Sequence, residues 1–274
     1  MSMKAFFFLL FLFTIGTGFI NPKAETIKIY SWNLKDFGKS KSDDEISFIA
    51  GVVKEADILA IQEVVAGPGG AQAVARLADA LNRTGSKWDY SISDPTYSSS
   101  YKTERYAFIW KTAKVKLVGK PWLEQQYKVE IDREPFYATF RYGEKEFTLV
   151  NFHAITKSKQ PETEIKYFKF LPGEYPQLDL LFCGDFNLPQ SHTVFNPLKK
   201  MGYRSVLQNQ KTSLKMECVG EECLSSEFDN FYYRDDKIIK DEGGIIPFHK
   251  SFESLTEARL VSDHVPVFFG FSLN

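Results

Sequence analysis

Apolar and polar residues fall in short blocks from residue 26 onward, and the period within each block separates strands from helices. Residues 27–32 read as a strand, and 57–62 and 178–183 are nearly continuous apolar runs that suit buried central strands. Further strands are expected at 106–110, 136–142 and 147–152, the last two joined by a tight turn at Gly143-Glu144, and later at 228–232 and 265–269. Between these runs the period lengthens. Ser42-Asp43-Asp44-Glu45 has the spacing of a capping box ahead of Ile46, Ile49, Val52 and Val53, which predicts a helix start. Residues 71–81 predict a second helix after the Gly67-Pro68-Gly69-Gly70 turn, and 161–170 and 193–201 predict two more. No internal repeat or linker interrupts this alternation, so it predicts one α/β domain of sheet covered by helices.

The first residues follow a different rule. Lys4 precedes an apolar run over 5–15 broken only by Thr14, the charged and apolar regions of a secretory signal. A membrane anchor is the competing reading, but the run reaches Ile20 only through Gly16, Thr17 and Gly18, a weak span. A signal peptide over 1–24 followed by a domain over 25–274 is therefore expected, with Ala24 and Gly18 as the competing cleavage points. The working protein is then secreted or periplasmic, with no stable membrane association once the leader is removed. The 34 Lys and Arg residues nearly balance the 35 Asp and Glu residues, which excludes the global positive field of a non-specific nucleic-acid coat. Three cysteines are too few for a disulfide scaffold.

The chemistry-capable side chains cluster where the apolar runs end. Asn33 follows Trp32, Glu63 follows Gln62, and His153 follows Phe152; Asp185 and Asn187 follow Gly184, and Asp263-His264 precedes the last strand. Each alone has a plain explanation: a turn or cap for Asn33, a surface carboxylate for Glu63, a satisfied core imidazole for His153, an Asx turn for Asp185 to Asn187. Five such placements at successive strand ends point to one shared site. Carboxylates and amides without a Cys-His cluster suit a hard divalent cation, magnesium or manganese, and not structural zinc. Two histidines in that company suit proton transfer. The set spells phosphate-ester hydrolysis. A phosphate-binding Gly-x-x-x-x-Gly-Lys loop and a Gly-x-Ser-x-Gly elbow are both missing, which disfavours phosphoryl transfer from ATP and serine-esterase chemistry.

The segments SWNLKDFG, ADILAIQEV, SYKTERYAFIW, DREPFYATF, VNFHA, FCGDFN, EFDNFYY and SDHVPV resemble, in this order, the endonuclease/exonuclease/phosphatase superfamily, and within it the deoxyribonuclease I branch. The resemblance implies a four-layer αββα sandwich, two packed mixed sheets flanked by helices with the site at one edge. It implies Glu63 as the main magnesium ligand, helped by Asn33 and Asp263 at the metal or the scissile phosphate. His264 becomes the general base, oriented by Asp229; His153 pairs with Glu104 on the leaving-group side; Asp185 and Asn187 position water and phosphate oxygens. Arg133, Lys35 and Tyr101 match DNA-contacting positions, Tyr101 one residue out of register. The implied protein is a monomeric endonuclease for DNA with little sequence specificity.

The chain also departs from that pattern. Val65 stands where the family carries a groove-binding arginine, and Phe228 where it carries a tyrosine. The calcium-carrying segments of the animal enzymes have no match, so a calcium requirement is not implied. Cys218 and Cys223 lie in an apparent insertion and are candidates for a short-loop disulfide in an oxidising compartment, which would leave Cys183 as a reduced core residue. Alternatives that keep the site are a phosphodiesterase or phosphatase for lipid or inositol phosphates and a toxin nuclease subunit. A catalytically silent binding module would lack one of Glu63, Asp185, His153 or His264, and all four are present.

Overall fold

The computed structural model describes residues 26–98 and 103–274; the expected leader and Tyr101 lie outside them. Strands β1 (Ile27–Phe37), β2 (Ile58–Val65), β3 (Trp88–Ile92) and β4 (Glu104–Lys111) alternate with helices α1 (Asp43–Val53) and α2 (Pro68–Asn82). Strands β5 (Lys116–Leu123), β6 (Phe136–Tyr142), β7 (Lys145–His153) and β8 (Leu180–Asp185) follow, with short helices α3 (Glu162–Ile165) and α4 (Leu171–Glu174) between β7 and β8. After α5 (Asn196–Lys200) come β9 (Tyr203–Ser205), β10 (Leu214–Val219), β11 (Glu222–Leu224), β12 (Asp229–Arg234), β13 (Ile238–Ile245), α6 (Leu255–Val261) and β14 (Val267–Leu273).

Twelve of these strands form two six-stranded mixed sheets, in the orders β13-β14-β1-β2-β4-β3 and β5-β6-β7-β8-β12-β9, and β10 and β11 pair with each other as a separate two-stranded sheet. Each has one parallel pair near its middle, β1 with β2 and β7 with β8, and both pairs are joined through helical crossovers. Between the sheets lies a layer built from both, including Ile29, Ala60, Phe108, Phe140, Leu181, Cys183 and Phe269. A second layer packs α1, α2 and α6 on the outer face of the first sheet through Ile49, Leu77 and Ala258. A third covers the second sheet with Phe168, Leu171, Phe195 and Leu198. The four-layer sandwich expected from the sequence is what forms.

The capping box is real: Ser42 accepts from the Glu45 amide, and the Glu45 carboxylate accepts from the Ser42 amide. Helix α2 begins at Pro68 and not at residue 71, because proline at the first turn gives up an amide the helix would not have used. The expected helix over 161–170 is instead a series of short pieces: α3, a 3-10 turn over Lys166–Lys169, and α4, which starts at Leu171 with Pro172 in its first turn. The helix over 193–201 likewise begins as a 3-10 turn, and α5 starts beside Pro197. Gly143 turns the β6–β7 hairpin with φ of +57°, as the sequence suggests. Cys218 and Cys223 are bonded across the β10–β11 hairpin, and Cys183 is free and buried.

Candidate active site

The polar residues expected at strand ends do converge, but two of them reach the site through irregularities inside strands. The β1–β2 pairing runs in register to Asn33 opposite Gln62, then slips before Phe37 opposite Val64. Lys35, Asp36 and Glu63 take up that slip with φ of +35°, +51° and +60°. A bulge of this kind re-aims a side chain. It turns the Glu63 carboxylate toward the site, where its oxygens accept from the Asn33 side-chain amide at 2.8 Å and the Asp36 backbone amide at 3.1 Å. Non-glycine residues at positive φ cost energy, which the packed sheet around them must repay.

Asn33 is buried and bridges two carboxylates, its Nδ2 also donating to Asp185 Oδ2 at 3.1 Å. Asp185, at the end of β8, accepts through Oδ1 from the Asn187 backbone amide at 2.9 Å. Asn187, at φ of +51°, points its own amide to the Ala154 carbonyl.

Two histidine–carboxylate pairs close the site from opposite sides. His153 Nδ1 lies 3.0 Å and 3.1 Å from the two oxygens of Glu104, the first residue of β4. His264 Nδ1 lies 2.7 Å from Asp229 Oδ2. Both rings then present Nε2 to one oxygen, Asp185 Oδ2, at 3.5 Å from His153 and 3.6 Å from His264. His153 Nε2 is also 3.9 Å from Glu63 Oε1.

The two rings sit in opposite fields. Burial, then the charge of Arg133, pulls His153 down to about 4, so the ring is neutral at pH 7. Burial also opposes charge on His264, but Asp229 and Asp185 outweigh it and hold that ring up to about 10. Glu104 is pushed up to about 7 by burial, against the pull of Arg133.

Arg133 serves this half-site and is mostly covered. It donates to Glu104 Oε2 at 3.3 Å, to the His153 carbonyl at 3.0 Å and to the Ala154 carbonyl. Its carboxylate partner is thus Glu104; the neighbouring Glu134 instead accepts from the Tyr97 amide. Asp263 is drawn to Arg259 at 3.2 Å, an ion pair beside the cluster. Lys35 lies at the mouth of the cleft, partly exposed, its amide donating to Asn33 Oδ1 at 3.1 Å.

Asp185, Asp229 and His264 offer ligand atoms within 4.8 Å of one another, but that is a poor cation seat. Asp229 Oδ2 is already taken by His264 and by the Thr212 hydroxyl. Glu63 is a better one. Its side chain is 26% exposed, and the partners given above are a neutral amide, a backbone N–H and a neutral imidazole. With Asp185 bridged to it by Asn33, two carboxylates lie close together, a donor set that fits a hard divalent cation. Asn33, whose oxygen faces Lys35 N and whose nitrogen faces both acids, acts as the spacer between them.

Gln62 and Asn151 were not singled out in the sequence, yet they bolt the two sheets together beneath the site. Gln62 Nε2 donates to Asn151 Oδ1 at 2.6 Å, and Asn151 Nδ2 donates to the Ile61 carbonyl at 3.0 Å, all buried. The available signal was an amide side chain inside each of two apolar runs, directly before Glu63 and two residues before His153. Among the described residues no helix is long and apolar enough to cross a membrane.

Three comparisons bear on this geometry. The model of the Endonuclease/Exonuclease/phosphatase family matches residues 30–264. The chain is 27% identical over 268 residues to a deoxyribonuclease of Thioalkalivibrio sp. (strain K90mix), covering 90% of this chain and 72% of that protein. It is 25% identical to human deoxyribonuclease gamma over 276 residues, covering 90% and 86%. A crystal structure of an endonuclease/exonuclease/phosphatase family protein from Bacteroides thetaiotaomicron superposes with a TM-score of 0.67 at 18% identity, covering 91% of this chain and 98% of the other, a likeness of fold.

Proposed function

From the premise that the chain belongs to the endonuclease/exonuclease/phosphatase family, we propose that it is a secreted, divalent-metal-dependent endonuclease that hydrolyses DNA phosphodiester bonds with little sequence preference. The observation that carries this reading is the convergence of two carboxylate-backed imidazoles on Asp185 Oδ2, with the Glu63 carboxylate open to the cleft beside them. The similarity to two deoxyribonucleases favours DNA among the family's phosphate esters.

In this reading Glu63, with Asp185 beside it, would hold magnesium or manganese, which supplies positive charge at the scissile phosphate. His264 takes the proton of the attacking water. Asp229 fixes the ring through Nδ1 and stabilises the imidazolium that forms, leaving Nε2 to face the water. Asp185 orients that water, and its own position is set by Asn187 and Asn33. His153, held by Glu104 beside Arg133, stands on the leaving-group side, where the negative charge of a bound phosphate would favour the protonated ring that can donate to the leaving oxygen. Arg133 therefore acts first as a positioning residue for His153. Asp263 assists through the charge it shares with Arg259, and Lys35 meets a neighbouring DNA phosphate at the cleft mouth. The leader directs the chain to the exterior or the periplasm, where the Cys218–Cys223 bond is stable.

The test is nicking of supercoiled plasmid by the mature protein with magnesium, with manganese, with calcium and with chelator, beside His264→Ala and Glu63→Gln. Metal-dependent nicking that falls by about 10²- to 10⁴-fold in His264→Ala is expected. No nicking by the unaltered protein with any of the three ions would overturn the nuclease reading. Turnover confined to small phosphomonoesters would place the chain on the phosphatase side of the family.

A further inference from the structure

We infer that Thr212, a residue outside the catalytic constellation, is a positioning residue that sets the orientation of the Asp229 carboxylate and, through it, the His264 ring. This rests on the reading of His264 as the general base.

Thr212 is fully buried at the root of the disulfide-closed β10–β11 hairpin. Its hydroxyl donates to Asp229 Oδ2 at 2.6 Å, the same oxygen that meets His264 Nδ1 at 2.7 Å. The Ser226 carbonyl competes for that one proton from 3.4 Å, too far to win it. The hydroxyl oxygen accepts from the backbone amides of Phe228 and Asp229 at 3.1 Å and 3.0 Å, which leaves the proton aimed at the carboxylate. The backbone of the same residue holds the other partner, because the Thr212 carbonyl accepts from the Val265 amide at 2.8 Å. On its two sides, Ser213 bridges to His264 and the Leu214 amide donates to the Asp263 carbonyl at 2.7 Å. Both halves of the His264–Asp229 pair are thus referenced to one residue.

The geometry makes that reference necessary. Asp229 Oδ1 is buried with no hydrogen-bond partner among the described residues, so nothing on that oxygen resists rotation of the carboxylate. The last torsion of an aspartate is soft and roughly two-fold. With the hydroxyl gone, Oδ2 keeps only the ring, and the ring keeps only a carboxylate free to turn. The Phe228 ring stacks on the imidazole at an interplanar angle of 27°, centroids 6.2 Å apart, but it has no polar side-chain atom to fix which way the nitrogens point.

The competing account is that the hydroxyl merely satisfies two buried amides. Steady-state nicking by Thr212→Val, Thr212→Ala and Thr212→Ser, each alone and with His264→Ala, separates the two, with thermal unfolding measured on every variant. The expected result is a loss of about 10- to 100-fold in kcat for the valine and alanine variants, with KM for plasmid unchanged, and recovery to within about threefold for the serine variant. In the His264→Ala background the same substitutions are expected to change the residual rate by less than about twofold, because their effect passes through the ring. Alanine leaves space for water at the two amides, so it carries the test if the valine variant does not fold. A kcat within twofold of the unaltered protein in a folded Thr212→Ala, or an equal loss with and without His264, would overturn the inference. An unaltered protein that does not nick DNA, or a His264→Ala variant as active as it, would instead overturn the functional reading on which it rests.

Discussion

His264 and His153 are chemically identical side chains that face the same Asp185 oxygen, and their surroundings alone separate them. The charge of Asp229 and Asp185 overrides burial at His264, while burial and Arg133 act together at His153. A base must be neutral to accept a proton, so a ring held up to about 10 is not yet a base at pH 7. A divalent ion against Glu63 and Asp185 cancels part of the negative charge that holds the proton, and the ring should then release it closer to neutrality. Two-dimensional NMR of the imidazole nitrogens is expected to show His264 charged through pH 8 with chelator and its titration moved downward with magnesium. A titration unmoved by magnesium would separate the ion from the ring. The same shift has a consequence for stability. The folded value lies above the ordinary histidine value of about 6.5, so this group's contribution is complete below about pH 6.5 and is lost as pH rises toward about 10. In chelator, urea unfolding of the unaltered chain should lose up to about 5 kcal/mol across that alkaline range from this source. His264→Gln should flatten the loss, and an equal slope in both proteins would contradict the assignment.

At the scale of elements, the site depends on how closely β7 and β8 approach. Gly184, next to Asp185, has φ of +134°, and a Cβ there would lie 1.9 Å from the Phe152 carbonyl. Both the conformation and the contact exclude a side chain. Gly184→Ala must therefore part the parallel pair just where His153 lies opposite Asp185. A loss of more than about 2 kcal/mol in urea unfolding is expected, with activity reduced further than the stability change explains. A variant with unchanged stability and rate would show that the strands tolerate separation. Such constraints mark the limit of what the chain reveals before folding. The capping box at Ser42 and the turn at Gly143 were legible because each is written in adjacent residues. Strands β3, β5, β9, β10, β11 and β13 went unread: β5 alternates weakly and runs through Pro121, and β13 carries Lys240, Asp241, Glu242, Gly243 and Gly244 in its middle. Asn33, Glu63, His153, Asp185, Asn187 and His264 were legible as polar residues beside apolar runs, whereas Glu104, Asp229 and Arg133 entered only through the resemblance. The geometry of the site was not legible, since Asn33 and Glu63 lie within strands and owe their direction to a register slip and positive φ that no local composition encodes. Thr212 was hidden for a similar reason, lying 17 residues from the aspartate it holds and 52 from the histidine.

For the whole molecule, the question is how a chain with a formal net charge of -1 would hold a polyanion. Counterion release makes affinity follow the number of phosphates met by cations. Near the cleft the candidates among the described residues are few. Arg133 is engaged with Glu104 and two carbonyls, and Arg105 donates to the Ala66 and Ser93 carbonyls. Lys35 stands at the mouth, while Arg259 is paired with Asp263. Val65, 38% exposed, lines an open cleft of about 360 Å³ together with Glu63, Glu104 and Arg133, in the position where the resemblance places an arginine. DNA binding should accordingly be weak and only moderately salt-dependent, with a log-log slope of roughly -2 to -3 against sodium chloride, as for two or three phosphate contacts. Val65→Arg offers a direct check, because its side chain would leave the sheet at an exposed position beside the reacting phosphate. The expected outcome, by fluorescence anisotropy with a labelled duplex in calcium, is tighter binding and a slope steeper by about 0.9, while kcat stays within about twofold. The charge would act on DNA before and during reaction alike, so the gain belongs in KM. A slope already steeper than about -6 in the unaltered protein would mean that a cationic surface beyond the cleft does most of the binding, and the few free cations near Glu63 among the described residues would no longer explain the affinity.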